Sequence, residues 1–390
     1  MDNSQLSRPS LGPFNYYLVF IGFCLVSSLI SKYPLEASLR SFTFIEPMLF
    51  FFFALVISAN YANGFKDINK ILYAGLLVTI VFAVIELITQ KKILYDAGFV
   101  PKYSLVYQNE LRTFSGRISS FIGQPIYAAL YFFVALCIPV YLYIVSKSVT
   151  KKFGYILIIL LLLLIMYATG TRAVIPAIVL FFLFAGLSFT KEKSSVLVIS
   201  TVIILVSATI IVQYVPGFVK YQQDSFTLKE SNESNANLLA RISIAEQMFK
   251  LFQKNIYFGN GPGNIQKEAA GFMVSYSSSR EGLYGQENHF LAILSDTGIF
   301  GFTAYLIFLI SSLYYLFRKQ KNGLGIIQSQ ELNAYRKMVV ITYILFLAVS
   351  FSVSTISSLP NFVISILIGN YLGKLFRENN LSSTPVTSYK

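Results

Sequence analysis

The sequence predicts an all-α polytopic membrane protein of about ten transmembrane helices, with a large extracytoplasmic loop between the seventh and the eighth. Three observations carry that expectation. The 390 residues are 55% hydrophobic and only 13% charged, with a mean hydropathy of +0.62, a composition that suits a bilayer better than water. The apolar residues fall in runs near twenty residues long, enough to cross a hydrocarbon core of about 30 Å as helix. The basic residues are also distributed unevenly between alternate loops.

In chain order, the runs fall at roughly 14–31, 42–59, 70–90, 120–146, 153–169, 173–189, 195–215, 289–317, 337–358 and 361–376. The second is interrupted by Glu46-Pro47 and the tenth is short, so either is open to a kinked or re-entrant reading. Only Arg8 precedes the first run, and no small-x-small cleavage site follows before Lys32. That pattern reads as a retained span and not a cleaved signal peptide. The domain division is 1–215 for helices one to seven, 216–288 for the large loop, 289–376 for helices eight to ten and 377–390 for a cytoplasmic tail.

With the N-terminus inside, 16 of the 31 Lys and Arg lie in inside segments and three, Lys32, Arg40 and Arg172, in short outside loops. This is the positive-inside bias, and it accounts for most of the formal charge of +13 without any nucleic-acid partner. The other 12 lie in two long outside loops, about 91–119 and 216–288, which are exempt from that bias. Metal chemistry has little support, because the one histidine and two cysteines, His289, Cys24 and Cys137, are far apart in sequence. Both cysteines sit in apolar stretches, where a thiol behaves as a small hydrophobe.

The second long loop contains an amphipathic helix, 235–254, in which Leu238, Ile242, Ala245, Phe249 and Phe252 recur at helical spacing. Its other face carries Arg241, Glu246, Lys250 and Lys254. Gly259-Asn260-Gly261-Pro262-Gly263-Asn264 follows, a turn that either reverses the chain or lets backbone N–H groups approach a ligand. Gln286-Glu287-Asn288-His289 then enters the eighth run, with Asp296-Thr297-Gly298 two turns on. This spacing places the only imidazole at the outer mouth of a helix. There it is either a satisfied structural group or a base half available at neutral pH. Arg172, in Thr169-Gly170-Thr171-Arg172 at a tight outer turn, gains nothing from topology, and it reads either as snorkelling to headgroups or as an anion clamp. Arg112 and Arg117 close the first long loop, and Arg241 and Arg280 lie in the second. Guanidinium forks match phosphate oxygens in pairs, and a lipid diphosphate is the outer-leaflet anion that would need several of them.

These pieces resemble the bacterial O-antigen polymerase and ligase superfamily over about residues 110–310. The resemblance rests on Thr169-Gly170-Thr171-Arg172, on the Arg241 helix leading to the glycine turn, and on Asn288-His289-Phe290 followed by Asp296-Thr297-Gly298 and Gly301. Arg117 to Pro125 is a weaker match, since Ile126 stands where such proteins often have Asn. The resemblance implies a glycosyltransferase in the bacterial plasma membrane that moves glycan from an undecaprenyl diphosphate carrier to an acceptor hydroxyl on the outer face. The polymerase branch, using a lipid-linked acceptor, is favoured over ligase-type transfer to lipid A-core or protein. It also implies membrane lipids, a flippase and a chain-length regulator as partners, and no cofactor. Arg172 and Arg241 would hold the diphosphate and His289 would be the base, with Arg112, Arg117, Arg280, Gly259, Gly261, Gly263 and Glu287 binding substrate and no metal present. The residues support such an assignment independently, because the chain has no Asp-x-Asp pair to carry a metal and arginines would have to stabilise the leaving diphosphate. A lipid-linked glycan flippase or transporter is the alternative from another class, although the concentration of charge in a long outer loop favours an enzyme.

Overall fold

A computed structural model describes residues 12–89, 118, 120–122, 125–171, 174–189, 245–264, 288–317, 330–351 and 359–383. Among these the protein is helical throughout: α1 (Phe14–Leu29), α2 (Pro34–Asn60), α3 (Gly64–Thr89), a 3-10 turn (Ser120–Ile122), α4 (Pro125–Ala135), α5 (Cys137–Val145), α6 (Val149–Ala168), α7 (Val174–Ser188), α8 (His289–Phe317), α9 (Gln330–Ser350) and α10 (Leu359–Ser383). Seven segments among the described residues are long and apolar enough to cross a membrane, with α4 and α5 together forming one of them; α1 and α7 are shorter apolar helices. The expected seventh span, 195–215, lies outside the described residues.

At the centre is α4–α5, in which Ala128 to Ile138, Val140 and Tyr141 are all buried. A helix apolar on every side has to be surrounded, and α3, α6, α7, α9 and α10 supply the neighbours. The chain steps between α4 and α5 at Leu136 because Pro139 has no N–H to offer the carbonyl four residues earlier. Pro47 has no such effect. The helix α2 runs unbroken through it for 27 residues, and α10 runs for 25, so both elements suspected from sequence are continuous helices.

The closest pairing is α2 against α10. A Cβ at Gly369 would strike the Phe51 carbonyl oxygen, and one at Gly373 that of Leu55, so the two glycines let the backbones approach as small residues do in membrane helix pairs. Polar groups buried at the same seam are satisfied locally. Ser58 Oγ donates to Asn370 Oδ1, and Asn370 Nδ2 donates to Asn69 Oδ1 at 3.1 Å and to the Tyr335 hydroxyl at 3.2 Å.

The broken element is α8, which contains no proline. Gly298 interrupts it with φ 66° and ψ −171°, a conformation open only to glycine. In a straight helix, His289 and Tyr305 would stand about 24 Å apart; instead, His289 Nε2 lies 2.7 Å from the Tyr305 hydroxyl. The two arms therefore fold back against each other. The second arm runs beside α1, Phe300 against Phe23, Tyr305 against Phe20 and Phe308 against Tyr17. That arm, Ile299–Phe317, is about 28 Å long and is the part able to cross; the first, His289–Thr297, is a short buried return. The apolar run 289–317, expected as one crossing, is thus two pieces.

A broken helix leaves carbonyls without partners at the end of one arm and N–H groups without partners at the start of the next. Residues 256–261 meet both needs. Asn260 N–H donates to Ser295 O at 3.0 Å and Gly261 N–H to Asp296 O at 2.9 Å, while Ile299 N–H donates to Ile256 O at 2.8 Å and Phe300 N–H to Tyr257 O at 3.3 Å. Ser27 Oγ of α1 adds a second donor to Asp296 O at 2.5 Å. The approach is too close for side chains: a Cβ on Gly259 would lie 2.5 Å from Asp296 O and Gly298 N, and one on Gly298 would strike the Tyr257 carbonyl.

The helix leading into this turn is described over 245–254. Its buried side chains are Met248 and Leu251, whereas Phe249 is half exposed, so the inward face is rotated about one residue from the expected Ala245–Phe249–Phe252 stripe. The cause is the turn itself, because Asn260 Nδ2 reaches back to Leu251 O at 2.7 Å and draws that side of the helix inward.

Replacing Gly298 by Ala combines an unfavourable φ/ψ with a backbone clash, and unfolding in detergent should show a loss of at least about 2 kcal/mol. Gly369→Ala should cost about 1–3 kcal/mol through overpacking. Gly75→Ala, where an added Cβ meets nothing within 4 Å, is the control and should be neutral or slightly stabilising. A Gly298→Ala protein as stable as that control would show that the bend is not clamped as described.

Candidate functional site

His289 is the first residue of α8, yet it is buried, with 3% of its surface exposed. The fold-back explains this: the short first arm carries the imidazole inward until it meets Tyr305 on the second, itself 8% exposed. Phe290 packs edge-on to the imidazole, with ring centroids 5.6 Å apart, and stacks on Phe351 after α9 at 4.3 Å. The mouth of the helix expected from the sequence is therefore covered by its own hairpin.

Beside the imidazole is a cavity of about 20 Å³ reached by Tyr17, Asn361 and Ser365 as well as by His289 and Tyr305. That is room for about one water or one hydroxyl group, and too little for a sugar ring. The polar lining is drawn from α1, α8 and α10, so it depends on the packing of three separate elements.

The three glycines expected to bind substrate, Gly259, Gly261 and Gly263, all have positive φ and are packed against protein. Gly259 faces the Gly298 break, Gly261 faces Ser31 and Ala37, and Gly263 faces the aliphatic part of Arg40. Asp296 Oδ2 accepts from Gly263 N–H at 3.4 Å, and Asn264 Nδ2 bonds to Asn260 O. The turn thus belongs to the support of α8.

Arg112, Arg117, Arg172, Arg241, Arg280 and Glu287 lie outside the described residues. Their described neighbours nevertheless form a connected structure. Ile118, next in sequence to Arg117, donates its N–H to Ala168 O at 3.2 Å, and Thr171, next to Arg172, donates its hydroxyl to Pro125 O at 3.4 Å. The turn after the first long loop and the turn after α6 are therefore stitched together. Glu86 of α3, 4% exposed, holds that turn by accepting from Ser120 N–H at 2.6 Å, while Ser120 Oγ donates to Thr79 O at 2.9 Å.

Three of these residues escaped the sequence reading. Glu86 had a signal, a carboxylate inside an apolar run. Arg40 was counted as a loop cation, but α2 begins at Pro34 and carries it beside the glycine turn. Tyr305 had no signal, since nothing in a run of apolar residues marks a pairing across a bend. Among the described residues no group of three or more His, Cys, Asp or Glu is placed to hold a metal ion.

Comparison with known proteins fits this arrangement. No curated protein sequence matches the chain. Residues 157–306 match the family model described as O-antigen ligase. The matched stretch starts within α6 and ends one residue past Tyr305, so it contains the Thr169–Thr171 turn, the glycine turn, His289 and the break at Gly298. Over this stretch the chain, a multi-pass membrane protein by its helices, is similar to the O-antigen ligase family.

Proposed function

We propose that this protein is a metal-independent glycosyltransferase that polymerises polysaccharide repeat units at the outer face of the bacterial plasma membrane, moving glycan from an undecaprenyl diphosphate carrier to a lipid-linked acceptor. The observation that carries the reading is the family match over 157–306, which contains Arg172, Arg241 and the only histidine of the chain. Arg172 and Arg241 bind the diphosphate, and Arg112, Arg117 and Arg280 add positive charge around it. In the transfer, an acceptor hydroxyl oxygen forms a bond to the anomeric carbon as the bond from that carbon to the diphosphate oxygen breaks. The diphosphate leaves with its carrier, and His289 takes the hydroxyl proton. The cavity at His289, large enough for one hydroxyl group, supports the proton-accepting role given to this residue.

Ligase-type transfer to lipid A-core or to a protein is the second reading, favoured by the family description itself. The two differ in acceptor and share the donor chemistry.

Purified protein reconstituted with lipid-diphosphate repeat units should give a ladder of chain lengths. Arg172→Ala should slow transfer roughly 10²–10³-fold, the cost of losing one group that stabilises the developing charge. His289→Gln should slow it roughly 10²–10⁴-fold with donor binding retained. Equal ladders from wild type and Arg172→Ala would refute the anion clamp. Transfer of one unit to lipid A-core without a ladder would favour the ligase reading. Movement of labelled lipid across the bilayer with no new glycosidic bond would identify a transporter instead.

A further inference from the structure

The 2.7 Å contact between His289 Nε2 and the Tyr305 hydroxyl joins residues 16 apart in sequence across the bend at Gly298. Neither ring is free to choose another place. Tyr305 is held between Phe20 of α1, at 5.1 Å between centroids, and Phe308 on its own arm, at 6.1 Å. His289 is held by Phe290 and by Tyr305 itself. Both side chains are buried, where a phenol or an imidazole left without a hydrogen bond costs about 1–3 kcal/mol.

An imidazole acts as a base only when the correct nitrogen carries the lone pair and points at the proton to be removed. The nitrogen that is protonated is set by the bond that the other nitrogen makes. We propose that Tyr305 is the positioning residue for His289: its hydroxyl accepts from Nε2–H, which leaves the lone pair on Nδ1 and fixes the ring beside the cavity shared with Asn361 and Ser365. This assignment rests on the glycosyltransferase reading above, and it adds a role for a residue outside the acid–base pair itself. It also gives the fold-back of α8 a chemical purpose, because only the bend brings residue 305 to residue 289.

The test uses the fact that the protein has a single histidine. Full-length protein labelled with ¹⁵N-histidine and reconstituted in lipid yields imidazole signals from His289 alone. Wild type should show one tautomer with a hydrogen-bonded Nε2. Tyr305→Phe, which removes one oxygen and keeps the ring, should shift the Nε2 resonance and bring both tautomers into exchange. It should also lower kcat on the order of 100-fold, as misplacement of a reacting group does, while KM for the lipid-linked donor stays within about twofold. Tyr141→Phe, which removes a buried hydroxyl bonded to Glu331 at 3.0 Å far from the bend, should change neither spectrum nor kcat. An Nε2 resonance unmoved in Tyr305→Phe, or an unchanged kcat, overturns the proposal. Should Tyr305→Phe lose its thermal transition, the wild-type spectrum decides, since two tautomers in exchange there would overturn it equally. A wild type that forms no glycosidic bond would defeat the functional reading, and the spectra would then separate that failure from a failure of the Tyr305 bond.

Discussion

A helix that stops and restarts inside an apolar bundle exposes carbonyls and N–H groups where neither water nor lipid can satisfy them, and each such group costs about 1–3 kcal/mol or more if left alone. In this protein that constraint is met at Gly298 by a second stretch of the same chain. The backbone of residues 256–261 supplies two donors to one arm and two acceptors to the other. Much of the rest follows. The glycines at 259 and 298 are needed because two backbones meet there with no space for a Cβ. Asn260 reaches Leu251 and Ser295 because the turn has to be held flat against the break. Ser27 and Arg40 join from α1 and α2, which form the remaining walls.

The same constraint places His289. Without the bend, His289 would begin an ordinary crossing at the surface. With it, the imidazole is tucked against Tyr305 beside a cavity large enough for a hydroxyl group. The proposed acid–base function and the polar clamp are therefore one unit, reaching from the glycine turn through Asp296 and Gly298 to Tyr305. The turns beside Arg117 and Arg172 form a second unit, stitched by Ile118, Ala168, Thr171 and Pro125 and anchored by Glu86. The first unit is shaped by backbone hydrogen bonds, and the second ties the described residues next to Arg117 and Arg172 to each other.

The crossing helices were legible in the sequence because hydropathy reports transfer from water to lipid directly: α6 falls close to where that measure puts it, and α3 and α9 overlap their expected runs. Hydropathy cannot see a change of direction, so His289–Phe317 read as one span. Pro47 was a misleading guide to a break. Pro47 sits inside a continuous α2, while the actual break relies on a glycine whose removed hydrogen bonds are replaced from elsewhere. The motif Gly259 to Asn264 and the motif Asp296 to Gly298 were both noticed as separate signals. Their being the two halves of one joint was not legible, since it depends on hydrogen bonds between residues 35 or 43 positions apart.

The order of the two halves along the chain bears on how the protein is made. Residues 256–261 are synthesised before 295–300, so the strip of backbone that caps the break already exists when the interrupted helix emerges. A helix break placed ahead of its cap would spend its insertion with four polar groups facing hydrocarbon. Here residues 256–261 come first in the chain, and α8 can complete itself by closing onto a partner that is already made.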